Sequence, residues 1–345
     1  MKILIFNPSF LGDSVLTTPL IQAVKAKYPE AQISFCVRPE YVPLFDGLAE
    51  ISEVIPFDKR RSYSGLSGIF RFAKYLEQRG FDIVLTPHKS FRTNLTLWLA
   101  KIPVRVGFVE SAFSALLTSS CARYMDLHEV QRNLTLYEAA FGEYPAKYPL
   151  KVVIDQEKKA EFAKLGENLI GIAPGSVWAT KMWPAERFAE VADRLKEDGY
   201  TPVIIGAPED VPAAEKLMKA AKYEHINMCG KTSLKELPAL IANFGFMVTN
   251  DSGPMHIAVA AGVRCIAIFG PTVKELGFTP YDEVSRVAEV AGLNCRPCGL
   301  HGSRKCPKKH FRCMLEISTQ DVLALLEKEQ VAEPIKPKYE TVKAD

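Results

Sequence analysis

VTNDSGPMH, at residues 248–256, is a short polar turn between two apolar segments. The segment before it, FGFMV at 244–248, predicts a buried strand, and IAVAA at 257–261 predicts a short helix. A buried strand that leads through a tight turn into a helix is the repeating unit of a parallel α/β sheet. The stretch therefore predicts one strand-helix unit of such a sheet.

The same turn has the residues of an anion-binding helix start. Asp251 or Ser252 can cap the first amides, and Pro254 suits the first helical position because it has no N–H to leave unpaired. Gly253 lets a ligand approach the backbone, where unpaired N–H groups and the helix dipole attract phosphate. An ordinary capped turn would use the same residues, so the segment alone leaves both interpretations open.

Length and composition indicate a globular protein with two domains. A chain of 345 residues exceeds what one core usually supports, and 48% apolar with 24% charged residues is an ordinary balance. The net charge of +3 suits phosphorylated ligands but is too small to indicate binding to nucleic acid. No stretch approaches the roughly 20 apolar residues of a membrane span, and no signal-peptide pattern is present. We therefore expect a cytoplasmic protein.

Strands alternate with helices along the chain, which predicts two Rossmann-like layers. Predicted strands of the first half are 3–6, 33–37, 54–57, 82–86 and 104–109, with a turn at 12–14 that leads into the first helix and further helices at 66–79, 93–101 and 129–141. Predicted strands of the second half are 169–173, 202–205, 226–228, 247–250 and 265–269, with helices at 157–165, 186–197, 213–222, 234–244, 254–261 and 321–329. We predict an N-terminal domain at 1–155, a C-terminal domain at 156–325 and a loose tail at 326–345.

A carboxylate follows the first predicted strand. The segment NPSFLGDSV, at residues 7–15, places Asp13 at a helix start that faces the predicted cleft. An aspartate in this position can cap the helix, or it can act as a general base at the exit of a strand. The residues themselves do not separate these two interpretations.

The second half offers groups that suit a nucleoside diphosphate. PGSVWATKMWP, at 174–184, supplies the hydroxyls of Ser176 and Thr180 and the ammonium of Lys181. Glu209 follows the next strand and can accept ribose hydroxyls, although acidic residues before a helix are also common caps. Thr232 precedes a capping-box pattern and is a further candidate for contact with a nucleoside.

Several of these motifs, in this order, resemble glycosyltransferase family nine, the bacterial heptosyltransferases of the lipopolysaccharide inner core. They are KILI at 2–5 with GDSVLTTP at 12–19, PGS at 174–176 with KMWP at 181–184, and NDSGPMH at 250–256 with FGPT at 269–272. The resemblance covers residues 1–325 and implies the GT-B fold. In that fold two Rossmann-like domains face a central cleft, and they bind the acceptor and the sugar nucleotide respectively.

The resemblance also implies an activity and a role for each matching residue. The expected reaction is inverting transfer of heptose from ADP-heptose to the inner core of lipopolysaccharide, with the second heptose favoured and no required metal or cofactor. Asp13 matches the catalytic base and Lys181 the lysine on the donor diphosphate. Further matches are the donor-binding turn (Asp251, Ser252, Gly253, His256), the nucleoside and ribose contacts (Thr232, Glu209) and a helix-start motif of the acceptor domain (His128, Arg132). The last pair also fits a capped, solvated helix face.

The acceptor side should be basic, because inner-core lipopolysaccharide carries carboxylates and phosphates. We predict acceptor contacts at the strand and helix ends that carry Lys59, Arg60, Arg61 and Arg92, whereas Arg71 and Lys74 fit a solvated helix face better. Aromatic side chains are interleaved with these cations (Tyr63, Phe70, Phe72, Tyr75). Such a surface can rest on the cytoplasmic face of the inner membrane without insertion.

Four cysteines lie within 19 residues near the C-terminus: Cys295, Cys298, Cys306 and Cys313. Four thiolates permit a structural zinc site, but reduced thiols or an adventitious disulfide are the preferred interpretation for a cytoplasmic protein. Two other functions stay open at this point. One is a sugar-nucleotide 2-epimerase of the same architecture, which needs no acceptor, and the other is a non-catalytic nucleotide-sugar-binding protein.

Overall fold

The computed structural model describes residues 1–327, in which two six-stranded parallel sheets are present. The first sheet has the order β3-β2-β1-β4-β5-β6 and consists of β1 (Lys2–Phe6), β2 (Gln32–Val37), β3 (Glu53–Pro56), β4 (Ile83–Leu85), β5 (Val104–Phe108) and β6 (Ser119–Cys121). The second has the order β12-β11-β10-β7-β8-β9 and consists of β7 (Leu169–Ala173), β8 (Thr201–Ile204), β9 (Ile226–Asn227), β10 (Met247–Asn250), β11 (Cys265–Phe269) and β12 (Arg286–Glu289).

Helices connect the strands of both sheets. Those of the first half are α1 (Leu11–Val15), α2 (Thr18–Lys27), α3 (Gly65–Glu77), α4 (Phe91–Leu99) and α5 (Glu129–Phe141). Those of the second half are α6 (Gln156–Phe162), α7 (Ala185–Glu197), α8 (Val211–Ala220), α9 (Leu237–Ile241), α10 (Gly253–Ala260), α11 (Arg312–Leu315) and α12 (Thr319–Glu327). Each half therefore has the α/β architecture that the alternation predicts. None of the helices up to residue 327 is long and apolar enough to cross a membrane.

Strand β1 shows how the sheet is covered on both faces. Ile3 and Ile5 belong to one apolar cluster, which includes side chains of α2 and α5. Leu4 and Phe6 belong to a second cluster, which includes side chains of α3 and α4. All four side chains are fully buried. A strand buried on both faces must be apolar at every position, and this is why KILIF was recognisable as a strand.

The order of strands reverses once in each sheet. In the first sheet the reversal lies between β1 and β4, and in the second it lies between β7 and β10. Parallel α/β sheets bind ligands at the carboxyl ends of the strands beside such a reversal. Asp13 follows β1, Lys181 follows β7 and Asp251 follows β10. The topology therefore brings the three charged residues to the two reversal points.

The structure differs from the predicted elements in a few places. Residues 12–14 belong to α1 instead of a turn, and the edge strands β6 and β12 were not predicted. Leu326, placed in the predicted loose tail, is buried in α12. The rest of that tail, 328–345, lies outside the described residues. The domain boundary at residue 155 stays a prediction.

The start of α5 joins the two halves of the chain. The Glu129 N–H donates to the carbonyl of Gly277 at 2.8 Å, and the Arg132 guanidinium donates to the carbonyl of Leu276 at 2.9 Å. Arg132 is fully buried and also donates to the Tyr124 carbonyl and the Glu129 carboxylate. Its charge is thus balanced by a buried carboxylate, while its other N–H groups satisfy backbone carbonyls on both sides of the junction.

Replacement of Arg132 by methionine should destabilise this junction. The change leaves Glu129 with a single buried cation and removes the donors of several buried carbonyls, so the free energy of unfolding should fall by about 3–5 kcal/mol. Arg194→Met is the matched control, because Arg194 forms an exposed pair with Asp198 on α7 and its loss should cost at most about 1 kcal/mol. Urea unfolding measures both changes, and equal losses would contradict the assignment.

Candidate active site

The two halves touch where α1 and α10 begin. A Cβ atom added to Gly12 would lie 2.7 Å from Cδ2 of His256, and one added to Gly253 would lie 2.6 Å from Cδ2 of Leu11. Cβ atoms are essentially never this close to another heavy atom. At Gly253 the Leu11 side chain can move aside, but at Gly12 the added atom would meet the buried ring of His256. Gly12 therefore permits a contact between the helix starts that a larger residue would disturb. This contact places Asp13 beside the 248–256 turn.

Asp13 is the third residue of α1. Its Oδ2 atom accepts a hydrogen bond from the Phe10 N–H at 3.1 Å, so the carboxylate does cap the helix start. Burial raises the pKa of Asp13 above its ordinary value, and the Phe10 N–H and the charges of Arg123, Arg38 and Lys181 oppose that rise. A carboxylate with a raised pKa is a stronger base, so capping and general-base chemistry are compatible in this residue.

Lys181 and Asp251 form a buried ion pair. Lys181 Nζ lies 2.6 Å from Asp251 Oδ2, and the Thr272 hydroxyl donates to the same oxygen at 2.6 Å. Both charged side chains are nearly inaccessible to solvent. The pair fixes the lysine at the start of α10, and an ammonium group has three N–H donors, of which Asp251 uses one.

The start of α10 differs from the predicted capped turn. Ser252 is the N-cap residue, but its hydroxyl donates to the Asn250 carbonyl at 3.2 Å, and Asp251 is engaged by Lys181 and Thr272. No side chain in the described part of the protein caps the first amides of α10. The prediction that Asp251 or Ser252 caps this helix is therefore wrong. Of the first three residues of α10, Pro254 has no N–H and the Met255 N–H donates to the Ser252 carbonyl at 3.1 Å, which leaves the Gly253 N–H for an anion.

His256 lies one turn into α10 and is buried against Gly12. Burial lowers its pKa to about 4, with Asp251 opposing that shift, so the imidazole is neutral at pH 7. Its Nδ1 atom is buried and has no hydrogen-bond partner within residues 1–327. Buried polar atoms are usually paired, so Nδ1 of His256 has a free hydrogen-bonding capacity beside the start of α10.

Asn250 is a site residue that sequence reasoning missed. Its side chain is fully buried, its Oδ1 accepts from the Trp183 N–H at 3.1 Å and its Nδ2 donates to the Pro174 carbonyl at 2.8 Å. The amide thereby ties the exit of β10 to the segment that carries Lys181. The available signal was a polar residue at the last position of a buried strand, directly before Asp251.

The cysteine-rich segment covers the Lys181 turn. The Thr180 hydroxyl donates to the Ser303 carbonyl at 2.9 Å and accepts from the Ser303 N–H at 2.8 Å. A Cβ atom at Gly302 would lie 2.5 Å from Cβ of Trp178. Thr180 therefore holds this segment over the turn, and a direct contact between Thr180 and the donor stays a prediction.

The cysteines themselves are all free thiols in the structure. Cys295 Sγ lies 3.8 Å from His310 Nε2, and Cys298 Sγ donates to the Cys295 carbonyl at 3.1 Å. Among residues 1–327, no group of three or more His, Cys, Asp or Glu side chains is arranged to hold a metal ion. The charges of Cys295, Cys298 and Cys306 all affect the pKa of Cys313, so the four thiols lie near one another, and the zinc site that the spacing permits stays an untested alternative.

The remaining predicted donor contacts lie at one edge of the second sheet. Ser176 follows β7, and its hydroxyl accepts from the Trp178 N–H at 3.3 Å. Glu209 follows β8 and is exposed, and Thr232 follows β9 and is half-buried. The predicted capping box after Thr232 is confirmed, since the Ser233 N–H donates to the Glu236 carboxylate at 3.0 Å and the Glu236 N–H donates to the Ser233 hydroxyl at 3.3 Å. Contact of Ser176, Glu209 and Thr232 with the donor nucleotide stays a prediction.

The predicted acceptor contacts separate into two groups. Lys59 has a pKa lowered by burial and by the nearby charges of Arg38, Arg60 and Arg92, which shows that these cations lie close together. Arg61 belongs to the same loop, and its N–H donates to Asp58 at 3.0 Å. Arg38 was not predicted as part of this group.

His128 and Arg132 form the second group, at the junction between the halves. His128 Nδ1 accepts from the Val130 N–H at 3.2 Å, which makes Nε2 the donor to the Thr279 carbonyl at 2.9 Å. Burial lowers the pKa of His128 to about 4. Since both side chains are engaged by protein groups, the geometry supports a joining role, and contact with an acceptor remains a prediction for them.

Two solved structures define the class of this fold. The glycosyl transferase family 9 protein of Veillonella parvula superposes with a TM-score of 0.85 at 25% identity, covering 95% of this chain and 96% of its own. The ADP-heptose lipopolysaccharide heptosyltransferase II of Escherichia coli gives 0.77 at 25% identity, covering 96% and 100%. The fold is therefore the GT-B fold, with two Rossmann-like domains that face a cleft.

The sequence comparisons identify the family. Residues 69–310 match glycosyltransferase family 9 (heptosyltransferase). Lipopolysaccharide heptosyltransferase 2 of Salmonella typhimurium is 30% identical over 94% of this chain and 97% of its own, and lipooligosaccharide heptosyltransferase 2 of Haemophilus influenzae is 31% identical over 81% and 86%. The chain belongs to glycosyltransferase family 9. A UDP-GlcNAc 2-epimerase of Neisseria meningitidis, at 12% identity and a TM-score of 0.52, shares the fold alone.

Gly12→Ala should impair transfer without unfolding the protein. The added Cβ would displace His256 and separate α1 from α10, and a misplacement of this size costs about 10²-fold in rate. Gly245→Ala is the control, because its Cβ would meet only the Leu169 carbonyl, at 4.0 Å. Steady-state rates and thermal unfolding should be measured for both variants. A wild-type rate in Gly12→Ala would remove the contact from the site.

Proposed function

We propose that the protein is an inverting glycosyltransferase that moves heptose from ADP-heptose to the inner core of lipopolysaccharide, adding the second heptose. The observation that carries the proposal is the α1–α10 contact, which sets Asp13 of one half beside the Lys181–Asp251 pair of the other. The names of the relatives, heptosyltransferase 2, support the choice of the second heptose.

The donor diphosphate is proposed to bind at the start of α10. The uncapped helix start and the Lys181 ammonium supply positive charge, and Gly253 leaves the backbone accessible. As the bond between the anomeric carbon and the diphosphate breaks, these groups stabilise the charge that develops on the leaving group. Ser176, Glu209 and Thr232, at the same sheet edge, are the proposed contacts to the rest of the nucleotide. In this proposal no metal ion takes part, and the diphosphate is bound by the backbone at the start of α10 and by the Lys181 N–H groups that Asp251 leaves free.

Asp13 is proposed to be the catalytic base. Its carboxylate takes the proton from an acceptor hydroxyl while the hydroxyl oxygen forms a bond to the anomeric carbon from the face opposite the diphosphate. Inversion follows from that direction of attack. The raised pKa of Asp13 makes its carboxylate a better proton acceptor, and the surrounding cations Arg123, Arg38 and Lys181 oppose that rise in pKa.

The acceptor is proposed to bind the basic group of the first half. Lys59, Arg60, Arg61 and Arg92 offer charge-assisted hydrogen bonds to the carboxylates and phosphates of the inner core. Because this acceptor is attached to a lipid, the proposal also places the protein in the cytoplasm, in peripheral contact with the inner membrane. The partners in this proposal are the nucleotide sugar and the lipopolysaccharide core, and nucleic acid is not among them.

Asp13→Asn should lower the transfer rate by about 10²–10⁴-fold, because the amide cannot accept the proton. Titration calorimetry should show ADP binding close to that of the wild type, since the diphosphate contacts are on the other half. In the wild type, kcat/KM should fall as pH decreases and Asp13 is protonated. The midpoint should lie above the ordinary aspartate value of about 3.9, as the pKa is raised. Undiminished turnover in Asp13→Asn would eliminate this residue as the base.

Lys181→Ala should raise the donor KM and lower kcat together, since the lysine binds the diphosphate in the ground state and interacts more strongly with it as charge develops on the leaving group. Lys216→Ala is the control, because Lys216 is exposed on α8. An unchanged donor KM in the Lys181 variant would argue against the assignment. Incubation of the wild type with ADP-heptose alone tests the epimerase alternative, which predicts an isomerised sugar without any acceptor.

A further inference from the structure

Helix α3 has large apolar side chains on both of its sides. Ile69, Phe72 and Leu76 point towards the first sheet and are buried. Leu66 and Phe70, one turn apart, point away from the sheet and are 70% and 60% exposed. The outer side of a helix that covers a sheet is normally polar, so these two residues need a reason outside the core.

The neighbouring helix α4 repeats this arrangement. Leu97 is buried with the core cluster, whereas Phe91 and Trp98 are exposed on the outer side. The Phe91 ring lies 4.5 Å from the ring of Phe113, which is 63% exposed. Helices α3 and α4 pack against each other on one face of the sheet. We call the exposed apolar side chains of this layer the outer aromatic face: Leu66, Phe70, Phe91, Trp98 and Phe113.

Charge is concentrated in the same part of the chain. Residues 59–109 contain ten Lys or Arg and two acidic residues, a net charge of +8. Because the whole chain is +3, all other residues together carry −5. The two acidic residues are Glu77, which pairs with Lys74 and Lys101, and Asp82. The outer aromatic face is therefore surrounded by an excess of cations.

We propose that the outer aromatic face docks on the surface of a bilayer that contains anionic phospholipids. Exposed aromatic and aliphatic groups enter the boundary between headgroups and acyl chains, while the surrounding cations attract the anionic headgroups. A second copy of this chain would also cover apolar groups, but a symmetric contact would set two surfaces with an excess of cations against each other. The charge therefore favours the bilayer over self-association.

The location of this face relative to the acceptor contacts agrees with a lipid partner. Lys59, Arg60 and Arg61 lie in the loop directly before α3, and Arg92 lies in the first turn of α4. The Arg92 guanidinium donates to the Tyr63 carbonyl, which ties that loop to α4. Docking thus brings the proposed acceptor site to the membrane surface. This step rests on the proposed function, in which the acceptor is linked to a lipid.

A double variant, Phe70→Ser with Trp98→Ser, tests the surface. Co-sedimentation should use vesicles of phosphatidylethanolamine with phosphatidylglycerol, and vesicles of phosphatidylcholine alone. We expect the wild type to bind the anionic vesicles and to bind the neutral vesicles much less. The double variant should bind the anionic vesicles at least about tenfold more weakly than the wild type does. Tyr223→Ser with Leu315→Ser is the matched control, since both residues are exposed apolar groups of the second half. Equal binding by the two double variants would overturn the proposal.

Trp98 provides a second readout. Brominated phospholipids quench indoles that enter the bilayer, so part of the wild-type fluorescence should be lost on binding, and Trp98→Phe should abolish that part. Trp183 is buried, and Trp178 lies against Gly302 in the second half, so neither should respond. Binding without quenching of Trp98 would place the contact elsewhere. Sedimentation velocity without lipid completes the test. A wild type that dimerises, together with a Phe70/Trp98 variant that stays monomeric, would assign the face to self-association and overturn the proposal.

Activity separates this proposal from the proposed function. The Phe70/Trp98 variant should transfer heptose to a delipidated core oligosaccharide at the wild-type rate, because neither residue belongs to the proposed site. A wild type that uses no acceptor would refute the proposed function, and the vesicle measurements would still decide the surface. A variant that loses transfer to the delipidated acceptor would show that the face serves the site itself, which contradicts a docking role.

Discussion

The close contact between α1 and α10 is the constraint on which the rest of the site depends. The start of α1 could not lie this close to α10 if Gly12 carried a side chain, because the buried His256 ring occupies that space. The contact is also the only part of the proposed mechanism that requires both sheets. A proton acceptor and a leaving-group binder must stand on opposite sides of one carbon atom, and such positioning accounts for much of enzymatic rate enhancement.

Buried charges around that contact are balanced in a consistent way. Asp251 is paired with Lys181 and Thr272, and Glu129 is paired with Arg123 and Arg132. An uncompensated charge in these positions would cost several kcal/mol, so the pairs are a condition for placing carboxylates near the cleft. His256 Nδ1 and the first amides of α10 lack side-chain partners in the described structure, and both lie at the proposed diphosphate site.

Local sequence patterns were sufficient for the central strands and for the charged residues at their ends. Strands β7 and β11, and β1 after Lys2, have no charged or hydrogen-bonding side chain apart from a cysteine, and β10 is polar only at Thr249 and Asn250, because these strands are covered on both faces. In contrast, β6 (SSC) and β12 (RVAE) lie at sheet edges and have no such pattern. The joining role of Arg132 was not predictable, since its partner Leu276 is 144 residues away. The uncapped start of α10 was not predictable either. Asp251 does not cap the helix because it is bonded to Lys181 and Thr272, which come from other segments of the chain.

The distribution of charge gives the proposed transferase an orientation. A negatively charged membrane attracts the +8 segment around α3 and α4, which belongs to the acceptor half, whereas residues 156–345 carry no net charge. The acceptor half then faces the bilayer that holds its glycolipid, and the donor half faces the solution that supplies the nucleotide sugar. Asp13 follows β1 and lies between the two halves. The acceptor can therefore reach the base from the membrane side, and the nucleotide sugar can reach it from the solution side. Charge and fold thereby favour the same direction of approach.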